Sequence, residues 1–232
     1  VALGSLTTDA GGTVVFNADV TTTNAQTYND AVSVGSGVSF SSTGSGGIVL
    51  DSTLDGGFDV IVNTGGVTIF GDTVGGTTVL SSLITDIGGT AVFNGDVTTT
   101  GAQTYNDAAA VGNTTTFSST GDGDIALNST LDGIFDVNVN TGGATTFGGA
   151  VGGVTALSML TTDAGGSTGI HGNITTTGAQ IYADDLVIGT VGSANALQLT
   201  ATEVQFGTQA TFDITERNTS DMLSITGGVN RQ

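Results

Sequence analysis

SLTTDAGGTVVFNADVTTTNAQTYNDA, which covers residues 5–31, returns 77 residues later as SLITDIGGTAVFNGDVTTTGAQTYNDA in residues 82–108. A more divergent copy, MLTTDAGGSTGIHGNITTTGAQIYADD, follows in residues 159–185. Across the complete unit, 54 of 77 positions are identical between residues 5–81 and residues 82–158. A chain that repeats itself at a fixed interval is an array of one structural unit, so repeat architectures are considered before any other fold.

The composition is acidic and nearly free of basic side chains. The 232 residues include 39 Gly, no Pro, no Trp, no Lys and only two Arg, with a formal net charge of −19 and a mean hydropathy of +0.25. Apolar residues are spread evenly, and no run approaches the roughly 18 residues of a transmembrane helix. Because the negative charge repels phosphate backbones and anionic lipid surfaces, we expect neither nucleic-acid binding nor membrane insertion.

The start of the sequence and its lack of Cys bear on where the protein works. The sequence begins at Val1 and shows no signal-peptide pattern, so we expect a processed product or an excised fragment. A chain without Cys forms no disulfides, which fits a protein that is stable outside a reducing cell on its packing alone.

Local chemistry favours strands and turns over helices. Thr, Val, Gly, Asn and Asp dominate, whereas the straight-chain helix formers Lys, Arg, Glu and Met are nearly missing. Short alternating runs stand between clusters of Gly, Asn and Asp, which is typical of strands that end in turns. The clearest predicted strands are residues 13–16, 38–40, 48–50, 58–62 and 67–70. The aromatic side chains expected to point into the core are Phe16, Phe40, Phe58 and Phe70, with their counterparts in the second repeat.

Two folds are compatible with this pattern, a string of small β-sandwiches and a single parallel β-solenoid. A sandwich of one repeat needs a bulky core, because a small domain buries only about 60% of its surface. A solenoid avoids this difficulty, since each coil is covered by its neighbours and small apolar residues fill a narrow core. The lack of Pro also favours continuous hydrogen-bonded ladders. We therefore predict an all-β parallel β-solenoid of roughly nine to eleven coils, about 45 to 55 Å long at the usual strand spacing.

Several long phrases resemble the repeats of very large secreted bacterial adhesins related to filamentous haemagglutinin and autotransporter passengers. They are VTTTNAQTYNDAV from Val20, VTTTGAQTYNDAA from Val97, STLDGGFDVIVNTGG from Ser52 and TIFGDTVGGTTVL from Thr68. The resemblance covers about residues 1–185. It implies a right-handed parallel β-helix, export from a diderm bacterium, and a role at the cell surface or in an extracellular matrix such as a biofilm. It carries over no catalytic residue.

The chain is expected to divide into two parts. Residues 1–185 form the solenoid, as repeats 5–81 and 82–158 and a partial repeat 159–185. Residues 186–232 leave the repeat pattern and contain both Arg residues, so we predict a C-terminal cap or docking segment there.

Catalysis is not expected. His171 is the single His and aligns with Asn17 and Asn94 at the 77-residue interval, so it is predicted to be a turn or surface residue. Without Cys, and with one His, the repeats offer no nucleophile, base and orienting group that could act together. Polysaccharide lyases share the β-helix architecture, but their chemistry calls for basic residues near carboxylates. We expect no catalytic residue and no organic cofactor.

Carboxylates beside Gly turns are the candidate metal ligands. Calcium prefers six to eight oxygen ligands from carboxylates and carbonyls. The candidates are Asp55, Asp59, Asp132, Asp136, Asp122 and Asp124. The alternative interpretation is that these are solvated turn residues that keep an apolar rod soluble.

Two ligand-binding alternatives rest on recurring side chains. The Thr runs that begin at Thr21, Thr98 and Thr175 suggest an ice-binding face, although copies 77 residues apart lie several coils apart. A glycan site needs exposed aromatic rings, and the recurring candidates are Tyr28, Tyr105 and Tyr182, whose equal placement also fits a packing position.

The sequence therefore predicts a non-enzymatic, extracellular structural or adhesive protein, a rod that contributes to a bacterial surface fibre. Its expected partners are further copies of itself or the remainder of a larger adhesin, and a host or matrix surface. VALG at the start aligns with TVLS and TALS inside the repeats, which predicts an open strand edge and head-to-tail assembly. The residues expected at this junction are Val1, Leu3, Phe16, Leu197, Val204, Phe206, Phe212 and Ile225.

Overall fold

The computed structural model of the protein describes residues 2–188, 197–207, 212–214 and 223–231, with the backbone alone for residues 212–214 and Arg231. In these ranges the chain is all-β and contains no helix. It follows that the described residues hold no helix able to cross a membrane.

The described part of the chain contains twenty-eight strands, most of them two to six residues long. In chain order they are β1 Leu6–Thr7, β2 Thr13–Phe16, β3 Val20–Thr22, β4 Gln26–Tyr28, β5 Ala31–Val34, β6 Val38–Ser42, β7 Ile48–Leu50, β8 Leu54–Asp55, β9 Asp59–Thr64, β10 Val67–Phe70, β11 Ser82–Thr85, β12 Thr90–Phe93, β13 Val97–Thr99, β14 Gln103–Tyr105, β15 Ala108–Val111, β16 Thr115–Ser119, β17 Ile125–Leu127, β18 Leu131–Gly133, β19 Val137–Asn140, β20 Ala144–Phe147, β21 Leu160–Thr162, β22 Ser167–Ile170, β23 Ile174–Thr175, β24 Ala179–Tyr182, β25 Asp185–Ile188, β26 Leu197–Phe206, β27 Phe212–Ile214 and β28 Leu223–Arg231.

The strands stack in parallel on three faces of a β-solenoid, which confirms the predicted class of fold. Face A is a ten-stranded sheet in the order β3-β6-β9-β11-β14-β17-β20-β22-β25-β27. Face B begins with β1-β4-β7-β10-β12-β15-β18 and continues through Val151 to β23 and β26. Face C begins with β2-β5-β8 and continues through Val74 to β13-β16-β19-β21-β24-β26. The ten strands of face A span nine turns, about 43 Å at the usual strand spacing.

Alternation along each strand fills the core. In β16 the side chains of Thr115, Phe117 and Ser119 are buried, and those between them are partly exposed. A close-packed interior results, in which aromatic rings pack edge to face, as Phe93 does on Tyr105 and Phe117 at 4.9 and 5.1 Å. Since every coil covers the next, small apolar residues suffice for the rest of the core.

The predicted inward position of Phe58 is wrong. Its side chain is 44% exposed. The strand begins at Asp59, so Phe58 lies in the preceding bend, where the alternation that directs Val60 and Val62 inward does not yet apply. Of the other predicted core rings, Phe40 and Phe70 are buried, and Phe16 is partly buried at the N-terminal end of the stack.

Successive sequence repeats occupy different faces. The equivalent strands β3, β13 and β23 lie on faces A, C and B respectively. From β3 to β13 the chain crosses eleven successive faces of the solenoid, and one coil crosses three. One 77-residue interval therefore covers three and two-thirds turns, so each copy is displaced by one face from the copy before it.

Parallel stacking continues beyond the point where the repeat pattern ends. Leu186 to Ile188 pair with Phe212 to Ile214, and β26 pairs with β28 along most of its length. The register of the β26–β28 pair shifts between Thr200 and Glu203. In the described part, the divergent C-terminal segment thus forms further coils on the same stack.

Candidate functional sites at the corners and ends of the solenoid

Asp55 and Asp132 act as hydrogen-bond acceptors at equivalent corners. Asp55 Oδ1 accepts the backbone N–H groups of Thr77 and Thr78 at 2.8 and 3.0 Å. Asp132 Oδ1 accepts those of Val154 and Thr155 at 2.8 and 2.9 Å. Each carboxylate therefore satisfies two backbone donors of the following coil, at a bend where the regular ladder is interrupted.

The other candidate calcium ligands have separate surroundings. Asp59 Oδ1 accepts the Ser82 hydroxyl at 2.7 Å, and hydrogen bonds from Ser81 and Ser82 lower the pKa of Asp59. Asp124 Oδ1 accepts the Ala144 N–H at 2.8 Å. Asp122 occupies a turn with a φ of 60°, and the Asp136 carbonyl accepts the Thr115 N–H at 3.0 Å.

The structure places these six carboxylates at several corners. Asp55 lies on face C and Asp59 on face A, each with its own partners. Within the described ranges, no three His, Cys, Asp or Glu side chains form a group that could hold a metal ion. The arrangement shown is one of separate corner acceptors, and the calcium assignment stays a prediction.

A second set of carboxylates, which sequence reasoning missed, is buried inside the stack. Asp107 and Asp184 are each 2% exposed and occupy equivalent positions. Burial raises the pKa of Asp184, although its two oxygens accept the hydroxyls of Thr162 and Thr168 at 2.9 and 2.7 Å. Burial and the nearby Asp86 carboxylate raise the pKa of Asp107, which accepts the Gly89 N–H at 2.7 Å.

The sequence does contain a feature that could have identified these buried carboxylates. Asp30 and Asp107 end the phrase QTYND, which belongs to AQTYNDA, the longest run identical between the first two repeats. Identity along such a run indicates a crowded environment on both faces of the chain, because a solvated turn tolerates substitution.

The three recurring Tyr residues belong to the core. Tyr28, Tyr105 and Tyr182 are 0% exposed, and each donates a hydrogen bond to the side-chain oxygen of the Gln two residues before it. Burial raises the pKa of each phenol. A glycan site built on these rings is therefore excluded by their position.

The three Thr runs do not form one array. They lie on faces A, C and B in successive repeats. The middle residues Thr22, Thr99 and Thr176 are buried, and their hydroxyls donate to carbonyls two residues further along the chain. The runs thus lack the common flat face that a threonine ladder for ice requires.

His171 lies exposed directly after β22, where its backbone N–H donates to the Phe147 carbonyl at 2.9 Å. The predicted surface position is confirmed. Its equivalents Asn17 and Asn94 follow β2 and β12 in the same way.

Apolar side chains border a cleft at the N-terminal end of the described stack. Leu3 is 52% exposed, and Leu6, Phe16 and Val20 are partly buried around a cleft of about 640 Å³. Among the described residues, β1, β2 and β3 are the first strands of their sheets. Val1, which the sequence also placed at this junction, lies outside the described residues.

The C-terminal end is covered by β28. Leu197, Val204 and Phe206 are buried, and the strand that holds them, β26, lies between β23 or β24 and β28. Ile225 on β28 is partly buried, and the junction assigned to these residues stays a prediction. Phe212 pairs with Leu186 through its backbone, and its side chain lies outside the described part.

Comparisons with models of protein families, with curated proteins and with solved structures found no match to this chain.

Proposed function

We propose that the protein is a non-enzymatic, extracellular structural rod that forms or contributes to a bacterial surface fibre. The observation that supports it best is the parallel stack on three faces of the described chain, with a close-packed, largely apolar core along its length. Such a stack is quasi-one-dimensional, so length can be added by further coils without changing the contacts of those already present. In this proposal the helix is right-handed and the 77-residue unit is its structural repeat.

Polar groups of the core support a scaffold in preference to a reactive site. The buried Gln and Tyr side chains bond to one another and to carbonyls of neighbouring coils. The corner carboxylates accept backbone N–H groups. These side chains are committed to holding coils together, which is the work of a structural protein.

Head-to-tail assembly is the proposed route to a fibre. In this proposal the first strands, β1, β2 and β3, present one end of the rod, and β28 presents the other. Contact between unlike ends is heterologous, and it produces an open filament when the rotation does not close a ring. The sides of the rod would contact a host or matrix surface. If the rod is instead part of a larger adhesin, neighbouring segments of that same chain would make the contacts at its two ends.

The assembly is tested at β28 with a matched pair of variants. Ile225 pairs with the buried Leu199, and the neighbouring Ser224 pairs with the exposed Gln198. We expect filaments of the intact chain by negative-stain electron microscopy, their loss in Ile225→Asp and in a chain without residues 186–232, and their persistence in Ser224→Asp. Circular dichroism verifies that strand content is retained. Monomeric rods from both the intact and the shortened chain in light scattering would contradict the proposal.

A further inference from the structure

The corner that follows the second strand of each repeat has a different dipeptide in each copy. It is Asn17-Ala18 after β2, Asn94-Gly95 after β12 and His171-Gly172 after β22. Asn94-Gly95 is the single Asn-Gly sequence in the chain. Glycine has no Cβ to shield its backbone nitrogen or to restrict its dihedral angles, so the nitrogen of Gly95 can approach the preceding side chain more closely than that of Ala18 can.

Asn94 is held in this corner through its main chain. Its N–H donates to the Phe70 carbonyl at 2.9 Å, and its carbonyl accepts the side-chain amide of Asn113 at 3.2 Å. Its side-chain oxygen packs against Gly112, which leaves no room for a Cβ at that position. Among the described residues, however, neither the side-chain amide of Asn94 nor the N–H of Gly95 has a hydrogen-bond partner. The side-chain carbonyl carbon and the backbone nitrogen that follows it are therefore not engaged elsewhere.

The three Asp-Gly sequences of the chain can close the same kind of ring, but the N–H of their Gly is engaged. Gly56 and Gly133 donate their N–H groups to carbonyls of the next coil at 3.0 and 3.2 Å, and Gly123 donates to the Ser119 hydroxyl at 2.8 Å. A proton that takes part in a hydrogen bond is harder to remove, because the bond must break first.

Two further Asn residues are also followed by an engaged N–H. After Asn63, the Thr64 N–H donates to Asp86 Oδ1 at 2.9 Å. After Asn140, the N–H of the following Thr donates to Asp163 Oδ1 at 3.2 Å. Asn94-Gly95 thus combines an amide side chain, a following Gly and a backbone nitrogen without a hydrogen-bond acceptor in the described structure.

We propose that Asn94 is a site of spontaneous deamidation, through attack by the backbone nitrogen of Gly95. Solvent hydroxide removes the Gly95 N–H proton, and the nitrogen then bonds to Cγ of Asn94 to close a succinimide ring. The Cγ–Nδ2 bond breaks, and the amide nitrogen leaves as ammonia after it takes a proton from water. Water then opens the ring at one or the other carbonyl, which gives an aspartate or an isoaspartate. No group is oxidised or reduced, and water is the co-reactant.

Both products change the corner. Each adds one negative charge to a chain whose net charge is already −19. An isoaspartate also lengthens the main chain by one carbon atom between the buried Phe93 and Val97. Gly95 packs directly against the backbone of Asp72 on the preceding coil, so the added atom has little room. The modified chain should therefore unfold at a lower urea concentration than the fresh chain, whether or not the protein forms a fibre.

The test follows the full folded chain during incubation at pH 8 and, in parallel, at pH 6. Peptide mapping by mass spectrometry locates each gain of about 1 Da, and labelling with an isoaspartate methyltransferase counts the isoaspartate. We expect Asn94 to be modified first, and several-fold faster at pH 8, because the attacking nitrogen must lose its proton. Asn17, which precedes Ala18, is the internal control and should stay unmodified while Asn94 converts. No gain at Asn94, or an equal gain at Asn17, would overturn the proposal.

Two variants separate the chemistry of this corner from general damage. Asn94→Gln keeps an amide but moves it one methylene further along the side chain, so ammonia release should nearly cease. His171→Asn should create a second modified position, because the N–H of Gly172 likewise has no partner in the described part of the chain. Circular dichroism verifies strand content, and His171→Asn carries the test alone if Asn94→Gln loses it. Unchanged ammonia release from a folded Asn94→Gln, no gain at position 171, or modification confined to the urea-unfolded chain would each contradict the proposal.

Discussion

Ala91 and Thr168 occupy the same place in successive repeats and decide how a buried carboxylate is satisfied. Thr168 donates its hydroxyl to Asp184 Oδ2 at 2.7 Å. In the second repeat Ala91 has no hydroxyl, and Asp107 Oδ2 is buried without a hydrogen-bond partner in the described structure. Burial of an oxygen without a hydrogen-bond partner costs the full free energy of its desolvation. Asp107 is therefore expected to lower the stability of the stack.

Replacing Ala91 by Thr should supply the missing donor. Ala91→Val is the matched control, because Val has nearly the shape of Thr without the hydroxyl and stands at the equivalent position 14. We expect Ala91→Thr to be more stable than Ala91→Val at pH 7 by about 1 kcal/mol, the usual net contribution of a hydrogen bond, measured by urea denaturation.

The difference between these variants should depend on pH. Burial raises the folded-state pKa of Asp107, so its contribution to stability is present at acid pH and is lost as the pH rises through that raised pKa. A hydroxyl donor favours the charged form and reduces this loss. The advantage of Ala91→Thr over Ala91→Val should therefore be small near pH 4 and larger at pH 7. An advantage that is absent or unchanged between these pH values would contradict the assignment.

Residue-level roles were only partly predictable from the sequence. Alternation correctly predicted that Phe40, Phe70 and Phe93 are buried, because strand parity fixes which side chains share a face. It was wrong for Phe58, which lies in a bend. Alternation along one strand does not predict the burial of Asp107, which depends on the coil that covers it; only the identity of AQTYNDA between the first two repeats marks this position as crowded.

At the level of elements, a Gln and a Tyr link two successive coils through buried hydrogen bonds. Gln103 Nε2 lies 3.3 Å from the Val97 carbonyl and 2.8 Å from the Ser118 carbonyl, to which it donates. Tyr105 donates to Gln103 Oε1 at 2.9 Å. The same set recurs around Gln26 and Gln180. All of these side chains are 0% exposed, so each group depends on its partner.

We expect Gln103→Leu and Tyr105→Phe each to lower stability by about 1 to 3 kcal/mol, because each leaves a buried polar group unpaired. The double variant should cost less than the sum, by about 0.5 kcal/mol or more, since it removes both members of one hydrogen bond. Urea denaturation measures all three, with outward-facing Thr104→Ala as the control on the same strand. Strict additivity would show that the two side chains do not act as a pair.

At the scale of the whole molecule, the repeat and the coil have different periods. Val67 pairs with Thr90 and Thr90 with Ala108, so successive coils there take 23 and 18 residues. The sequence shows the 77-residue period directly, but the turn that closes a coil depends on corner geometry, which composition does not reveal. The displacement of each repeat by one face therefore appears only in the structure. Its consequence is that a surface feature of the repeat is presented on all three sides of a longer rod.

The net charge of −19 should make the rod sensitive to ionic strength. Screening relieves repulsion among exposed carboxylates, so the melting temperature should rise with NaCl. We expect millimolar CaCl₂ to give the same rise as NaCl of equal ionic strength, because Asp55 and Asp132 each already accept two backbone N–H groups. A larger rise with calcium that disappears in the Asp55→Asn/Asp132→Asn double variant would instead establish these carboxylates as calcium ligands.

The register of coil on coil is the central claim, and a pair of introduced Cys residues tests it most directly, since the chain has no Cys of its own. Ile61 and Ile84 are paired outward-facing residues on adjacent strands of face A, and Thr104 lies one coil further along. Neighbouring strands are about 4.8 Å apart, within disulfide range, whereas two coils separate Cα atoms by about 9.6 Å. Under mild oxidation, mass spectrometry should show an intramolecular disulfide in Ile61→Cys/Ile84→Cys and free thiols in Ile61→Cys/Thr104→Cys. Free thiols in the first variant, or a disulfide in the second, would contradict the parallel solenoid.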